Sequence, residues 1–590
     1  MPNLHLLPRP KTLTLTGGDR PLPEVLSISG ADAALIAATL GDRGRSAEGG
    51  SATVHCVVAT DASTDDDGYV LEIGAASPIR LSARTRSGLR WGLTTLNQIL
   101  SQCGNRIPLL RIDDAPAFAV RGVMLDISRD RVPTMASLRD LVATLSRWKI
   151  NHLQLYIEHT FAYRGHEDVW RASSPITADE MRELDRLCTD HGIELTANQN
   201  CLGHVERWLK VPGYGHLGER TAGHLIFGSW YVDPNTLVAN DPEGLSLVRG
   251  LLDQLLPCCS GRYAHIGCDE PWDLGTGRSK AAVDTDGFHA VYARHVTTVA
   301  SFARAHGKRA LYWSDPEHLA GAAGIDASKA PHLSSLLPTD VVPVVWGYDP
   351  DTDFAARGRR FRERGFETWL APSTNCWVSF TGRVHERRGN LARAARDGAA
   401  IGATGILNTI WGDNGHRQQW PLTLAGIADG AQAQWSGDVG FDDDAMGLHA
   451  FGSPALGRWL IAFGDVDLEL RRHHGGLFQD SKQAFFHPWK PGDAALWQAV
   501  DDRFAQLETT LPHDVTPQVR DECAHALAIA RYAAQRAVLR RGAPTVDERR
   551  ALASRLAELL ADHRRLWLLR SRPGGLEQSC DWYRQLIQHH

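Results

Sequence analysis

From Arg121 onward the chain alternates short apolar runs with longer amphipathic stretches: "GVMLDI", "TMASLRDLVATLSRWKI", "NHLQLYI", "TADEMRELDRLCTDHG" and "IELTAN" follow one another. Short continuous apolar runs suit strands covered on both faces, and apolar positions three or four apart suit helices lying on them. Thr134 and Thr177 stand where helix N-caps belong, and Gly192 stands where the second helix should stop. The beat continues through "YAHIGC", a helix over 285–306, "RALYWSD", "DVVPVVWGYD", "FETWLAPS" and "GATGILNTIWGD". The strands predicted are 122–127, 151–157, 193–197, 263–268, 309–313, 342–346, 367–371 and 404–410. Eight parallel strands alternating with helices are what a closed (β/α)8 TIM barrel requires.

The flanks have different rhythms. Residues 1–115 carry β-branched runs such as "TLTLTG", "ATVHCVVAT" and "GYVLEIG", and a helical stretch at 87–103, which predict an N-terminal α+β domain. The barrel domain then spans 116–436, and residues 437–590 read as a helical C-terminal domain. The fold class is α/β with two accessory domains.

Charge and composition narrow the function. With 63 Lys and Arg against 69 Asp and Glu, the net charge of −6 offers no general attraction for a phosphate backbone, so nucleic acid is not an expected partner. The mixed run "RGRRFRERG" at 357–365 suits a solvated helix face. No apolar stretch is long enough to span a bilayer, and "MPNLHLLPRPKTLTL" does not have the pattern of a signal peptide, so no membrane association and a cytoplasmic location are expected. Ten scattered cysteines without a CxxC pair suit free thiols, and no metal or cofactor is expected. The oligomeric state is not readable from the chain.

Barrel enzymes carry their chemistry at the C-terminal ends of the strands. Those ends hold Asp126, "YIEHTFAY", "ANQNCLGH", the pair Asp269 and Glu270, Trp313 and Asp315, Trp346, Asn375 and Trp377, and finally Trp411 and Asp413. Acids and indoles together point to a carbohydrate pocket. Two carboxylates suggest glycoside hydrolysis, yet neighbours on a strand point to opposite faces, so Asp269 and Glu270 can share a pocket only if the chain bends there. A substrate-assisted scheme suits adjacent acids better: one protonates the leaving group while the other steers the sugar's own 2-acetamido group.

These residues resemble glycoside hydrolase family 20, the β-N-acetylhexosaminidases: "HIGCDE" at 265–270 is similar to the family's strand-four signature, and "RGVMLDISRDRVP" at 121–133 to its first-strand motif. The resemblance implies exo-acting, retaining removal of terminal β-linked N-acetylglucosamine or N-acetylgalactosamine from a small glycoside or oligosaccharide. By the same resemblance Glu270 is the general acid and base, and Asp269 orients the acetamido group. Arg121 is then expected to bind sugar hydroxyls, His204 to tune Glu270, Trp313, Trp346 and Trp411 to line the pocket, and Asp413 to bind further hydroxyls; Trp377, in a strand-seven segment that departs from the family, joins the substrate-binding set without a role fixed by the resemblance. Two departures stand out. Cys268 occupies a glycine position of the signature, and "EHTFAY" replaces the usual acidic partner of the histidine, leaving Glu158 or His159 for that task. Two other readings stay open: a sugar-binding protein with a decayed site, and a metal-dependent barrel hydrolase using His265 and Asp269.

Overall fold

The computed structural model describes residues 4–47, 52–63, 65–76, 78–228, 230–314, 331–437, 440–474, 476–482, 494–542 and 544–588. The runs predicted as strands close into one parallel barrel, formed by Val120–Asp126, His152–Ile157, Glu194–Gln199, Tyr263–His265, Arg309–Trp313, Val342–Trp346, Trp369–Ala371 and Gly405–Ile410. Each pairs with its sequence neighbours, and Gly405–Ile410 closes the ring by pairing with Val120–Leu125. Nearly every strand residue is buried, because helices cover the outside and side chains fill the inside. The caps lie where the sequence placed them. Thr134 accepts from Ser137 N–H at the start of Met135–Arg147, Thr177 forms a capping box with Glu180, and Gly192 adopts φ +74° after the helix Ala178–Asp190.

The N-terminal part is a seven-stranded mixed sheet with Thr12–Pro21 at one edge, paired with Arg106–Asp114, and Gly44–Ser46 at the other, and the helix Arg86–Cys103 packs on it through Leu89, Trp91, Leu93, Leu96 and Ile99. Polar groups join this sheet to the base of the barrel. Buried Lys149 donates to Asp114 Oδ2 at 3.0 Å, Asp114 also accepts from Tyr69 OH at 2.8 Å and from Trp435 Nε1 at 3.0 Å, and so no buried charge is left unpaired there. Beyond Trp420–Ser436 the described residues form helices and their connections, Pro517–Arg541 and Val546–Arg570 being the longest of these helices. These helices share one apolar core with the outer layer of the barrel. Arg572 ties them to the strand-end face through Glu180 at 2.8 Å and Pro133 O at 3.1 Å. Among the described residues no helix is long and apolar enough to cross a membrane.

Candidate active site

The backbone bends where the two acids need it to. After the strand Tyr263–His265, Gly267, Cys268 and Glu270 take φ values of +65°, +67° and +43°, which breaks the alternation and turns both carboxyls into one mouth. A Cβ at Gly267 would meet Asn200 atoms at 2.6–2.7 Å, so only glycine fits there. Cys268, where the family signature has glycine, adopts the left-handed conformation despite its side chain. Its N–H donates to Asn200 Oδ1 at 2.9 Å and its carbonyl accepts from Tyr292 OH at 2.9 Å, and these bonds hold the turn.

The loop after the third strand supplies the next contact. Gly203 lies so close to the acid turn that a Cβ there would meet Asp269 O at 2.1 Å, and this approach delivers His204 between the two acids. His204 Nε2 is 3.3 Å from Asp269 Oδ2 and 3.3 Å from Glu270 Oε2. Burial opposes charge on the imidazole, but the Asp269 carboxylate and bonds to both acids outweigh it and push the His204 pKa well above the usual imidazole value. Burial would likewise raise Asp269, yet the charges of His204 and Arg129 win and hold its carboxyl below the ordinary range. The two acids thus differ. Asp269 is 9% exposed and receives Asn200 Nδ2 at 2.6 Å, whereas the Glu270 side chain is 29% exposed and opens outward.

Glu158 faces this cluster and His159 does not. Glu158 Oε1 lies 3.2 Å from Arg129 and 4.0 Å from His204 Nδ1. His159 instead lines a separate cavity with Asp130, Thr160 and Arg207, so of the two alternatives only Glu158 can be the partner of His204. Burial raises the Glu158 carboxyl to about 8 against the pull of Arg129. The folded protein keeps this proton after the unfolded chain, with its ordinary value of 4.5, has lost it, so the group's contribution to stability falls as pH rises from 4.5 to about 8. Glu158→Gln is expected to flatten the decline of Tm across that window; a Tm profile parallel to that of the unaltered protein contradicts the assignment.

Arg121 is a correction. It opens the first strand at the opposite end of the barrel, is fully buried, pairs with Asp67 at 2.7 Å and donates to Lys149 O at 2.8 Å, with Trp91 and Trp435 beside its guanidinium. It is a structural anchor of the N-terminal sheet and cannot reach a sugar. The arginine at the site is Arg129, just past the same strand, which contacts Asp126 at 3.2 Å, Glu158 at 3.2 Å and Asp413 at 3.7 Å. Arg121→Met leaves Asp67 without its partner, and a loss of roughly 3 kcal/mol in stability with KM little changed is expected. Arg129→Met should raise KM at least tenfold, about 1.4 kcal/mol of binding, on top of a loss of Tm from leaving buried Asp126 without its cation. Thermal melts and Michaelis curves of the pair check this, and a KM raised by Arg121→Met but not by Arg129→Met contradicts it.

The four indoles gather inside the mouth. Trp313, Trp377 and Trp411 belong to one apolar cluster, with Trp346 packed on it. Trp313 and Trp411 have ring centroids 5.8 Å apart, and the buried Nε1 atoms of Trp313 and Trp346 have no acceptor among the described residues. Tyr348, which sequence reasoning missed, completes the wall: it stacks on Trp346 at 5.2 Å, meets Trp377 edge-on at 5.1 Å, and its hydroxyl accepts from Trp411 Nε1 at 2.8 Å. Burial raises its phenol well above the usual value, and the charges of Asp269, Glu270 and Asp413 add to that, so the hydroxyl keeps its proton as a donor facing the acids. Asn375 positions this wall by donating to Tyr348 O at 3.0 Å. Asn200, which anchors Asp269, was also missed; its signal was the polar run "NQN" at the end of the third strand. Asp315 lies outside the described residues. His265 packs on Trp313 with ring centroids 4.5 Å apart, its Nδ1 accepts the Gly267 N–H at 3.1 Å, and burial lowers its pKa to about 3.

Comparison with known proteins adds the family. The sequence model for glycosyl hydrolase family 20, domain 2, matches residues 3–115, and that for the family's catalytic domain matches residues 118–395. Hexosaminidase D of Bos taurus is 27% identical over 339 residues, covering 54% of this chain and 93% of that protein. A beta-N-acetylhexosaminidase of Cellulomonas fimi is 25% identical over 347 residues, covering 53% of this chain and 66% of that protein. In fold, the chain is similar to the exo beta-N-acetylglucosaminidase of Vibrio harveyi solved with N-acetylglucosamine, with a TM-score of 0.60 at 17% identity over 80% of this chain and 78% of that one. It is similar over 99% of both chains to a chitobiase of Flavobacterium johnsoniae, with a TM-score of 0.59 at 16% identity. With both domain models in order on the chain and paired acids at the fourth strand of a closed barrel, the protein is a glycoside hydrolase belonging to glycoside hydrolase family 20, the β-N-acetylhexosaminidases.

Proposed function

We propose that the protein removes terminal, non-reducing β-linked N-acetylglucosamine or N-acetylgalactosamine from small glycosides or oligosaccharides, with net retention, the substrate's acetamido oxygen acting as nucleophile. The observation that carries this reading is the division of labour between adjacent acids: Asp269 is buried, ionised and locked by Asn200 and His204, while Glu270 opens outward. In the first step the acetamido oxygen bonds to C1, the C1–O glycosidic bond breaks, and the departing oxygen takes the Glu270 proton. Asp269 accepts the acetamido N–H as positive charge grows on the forming ring, and the Tyr348 hydroxyl donates to the acetamido oxygen. Water then attacks C1, gives its proton to the Glu270 carboxylate and reopens the ring. Trp313, Trp346, Trp377 and Trp411 wall the sugar and its methyl group, while Arg129 and Asp413 bind ring hydroxyls.

The domain division at 115/116 and 436/437 belongs to the same reading, as does a cytoplasmic setting, which the ten free cysteines support. A panel of p-nitrophenyl β-glycosides tests it. Turnover of the 2-acetamido glucoside and galactoside, with the 2-hydroxy analogues slower by several orders of magnitude, is expected. Equal rates on 2-acetamido and 2-hydroxy sugars, or binding of N-acetylglucosamine without any turnover, contradicts it.

A further inference from the structure

Two residues past Glu270, the chain places Trp272 beneath a short hairpin whose strands are His224–Ile226 and Trp230–Val232. The hairpin is tied to the acid's own turn: Asn235, just beyond it, donates from Nδ2 to Glu270 O at 3.1 Å, its N–H donates to Asp273 Oδ2 at 2.8 Å, and His224 Nδ1 lies 3.3 Å from Asp273 Oδ1. Cross-strand partners share a face, so buried Ile226 and its partner Trp230 point inward, while Leu225 and Tyr231 point away. Trp230 and Phe227 both meet Trp272, with ring centroids 5.8 and 5.9 Å away, yet they stay 55% and 54% exposed. Apolar rings normally bury themselves; these stay open near the turn that carries Glu270.

We propose that Phe227, Trp230 and Trp272 form a platform for the aglycone, taking the apolar face of a pyranose attached to the sugar being removed. The proposal rests on the hexosaminidase reading above and adds to it a preference for saccharide over small leaving groups. Glu270 fixes the direction, because the departing oxygen must lie at that carboxyl and whatever it carries extends past the same turn. The size also fits a sugar better than a second protein. Two half-exposed rings on the inward face offer well under half of the roughly 800 Å2 that each partner of a stable protein pair covers. The outward pair, Leu225 and Tyr231, lies on the wrong face to add to the platform.

The test compares N,N′-diacetylchitobiose with methyl β-N-acetylglucosaminide on the full chain. For Trp230→Ala the ratio of kcat/KM, disaccharide over methyl glycoside, should fall about tenfold, mostly through KM for the disaccharide. Trp230→Phe should restore most of it, and Tyr231→Ala, on the other face, should leave the ratio unchanged. Turnover of both substrates with an unaltered ratio in Trp230→Ala overturns the platform alone, as does an equal loss on both accompanied by a smaller sedimenting species, which would make the hairpin a contact between copies. Absence of turnover by the unaltered protein on either substrate overturns the hexosaminidase reading and the platform with it.

Discussion

Glu270→Gln should lower kcat/KM on an alkyl or saccharide β-N-acetylglucosaminide by about 10³-fold or more, and by less on p-nitrophenyl β-N-acetylglucosaminide. The amide keeps the size of the side chain and its place beside His204, so the fold should change little. It has no proton to give. An alkoxide leaving group depends on that proton, whereas p-nitrophenolate departs readily without it, so the defect should grow with the basicity of the leaving group. Values of kcat/KM for a series of aryl and alkyl glycosides, which report the first step alone, check this. Near-full kcat/KM on the alkyl glycoside, or a uniform loss of kcat/KM across the series, contradicts the acid role given to Glu270.

Asp269→Asn should be nearly as damaging, at roughly 10²- to 10³-fold in kcat, for a different physical reason. The carboxylate is the main source of the rise in His204's pKa, and its second oxygen is held by Asn200 at 2.6 Å, so it presents a fixed negative charge where the acetamido N–H becomes acidic. An asparagine keeps the shape and loses the charge. Because that charge matters most when the ring carries positive charge, affinity for a thiazoline mimic of the intermediate should fall far more than affinity for N-acetylglucosamine. Inhibition constants for the two ligands give the comparison. Equal losses on both would reduce Asp269 to a ground-state contact.

The architecture was legible because burial on two faces writes continuous apolar runs, and all eight barrel strands overlap the predicted ranges. The caps at Thr134 and Thr177 were legible for a local reason, since a hydroxyl answering unpaired N–H groups needs no tertiary information. Within the site, legibility followed geometry. Asp269, Glu270, His204 and the four tryptophans converge because strand ends are where a barrel gathers side chains. Arg121 misled because the first-strand motif holds three arginines, and only position relative to the apolar run distinguishes them: Arg121 precedes "GVMLDI" and belongs to the base, while Arg129 follows it and belongs to the mouth. That rule was available in the chain. Tyr348 was not, because its role comes from packing across strands, and Asn200 left only the polar run at the end of the third strand as a signal. Trp272 had no assignable role in the sequence, and the hairpin over it, built of two three-residue strands, is too short to leave a periodic signal.

The acetamido oxygen as nucleophile is best tested by fluorinating the substrate's N-acyl group step by step, from acetyl to trifluoroacetyl, on one aryl glycoside. Each fluorine withdraws electron density from that oxygen without altering the leaving group. If it attacks C1, kcat/KM should fall steeply along the series, on the order of 10²-fold or more by its end. A flat series would mean that a protein carboxylate or water attacks instead, and would contradict the division of labour between Asp269 and Glu270.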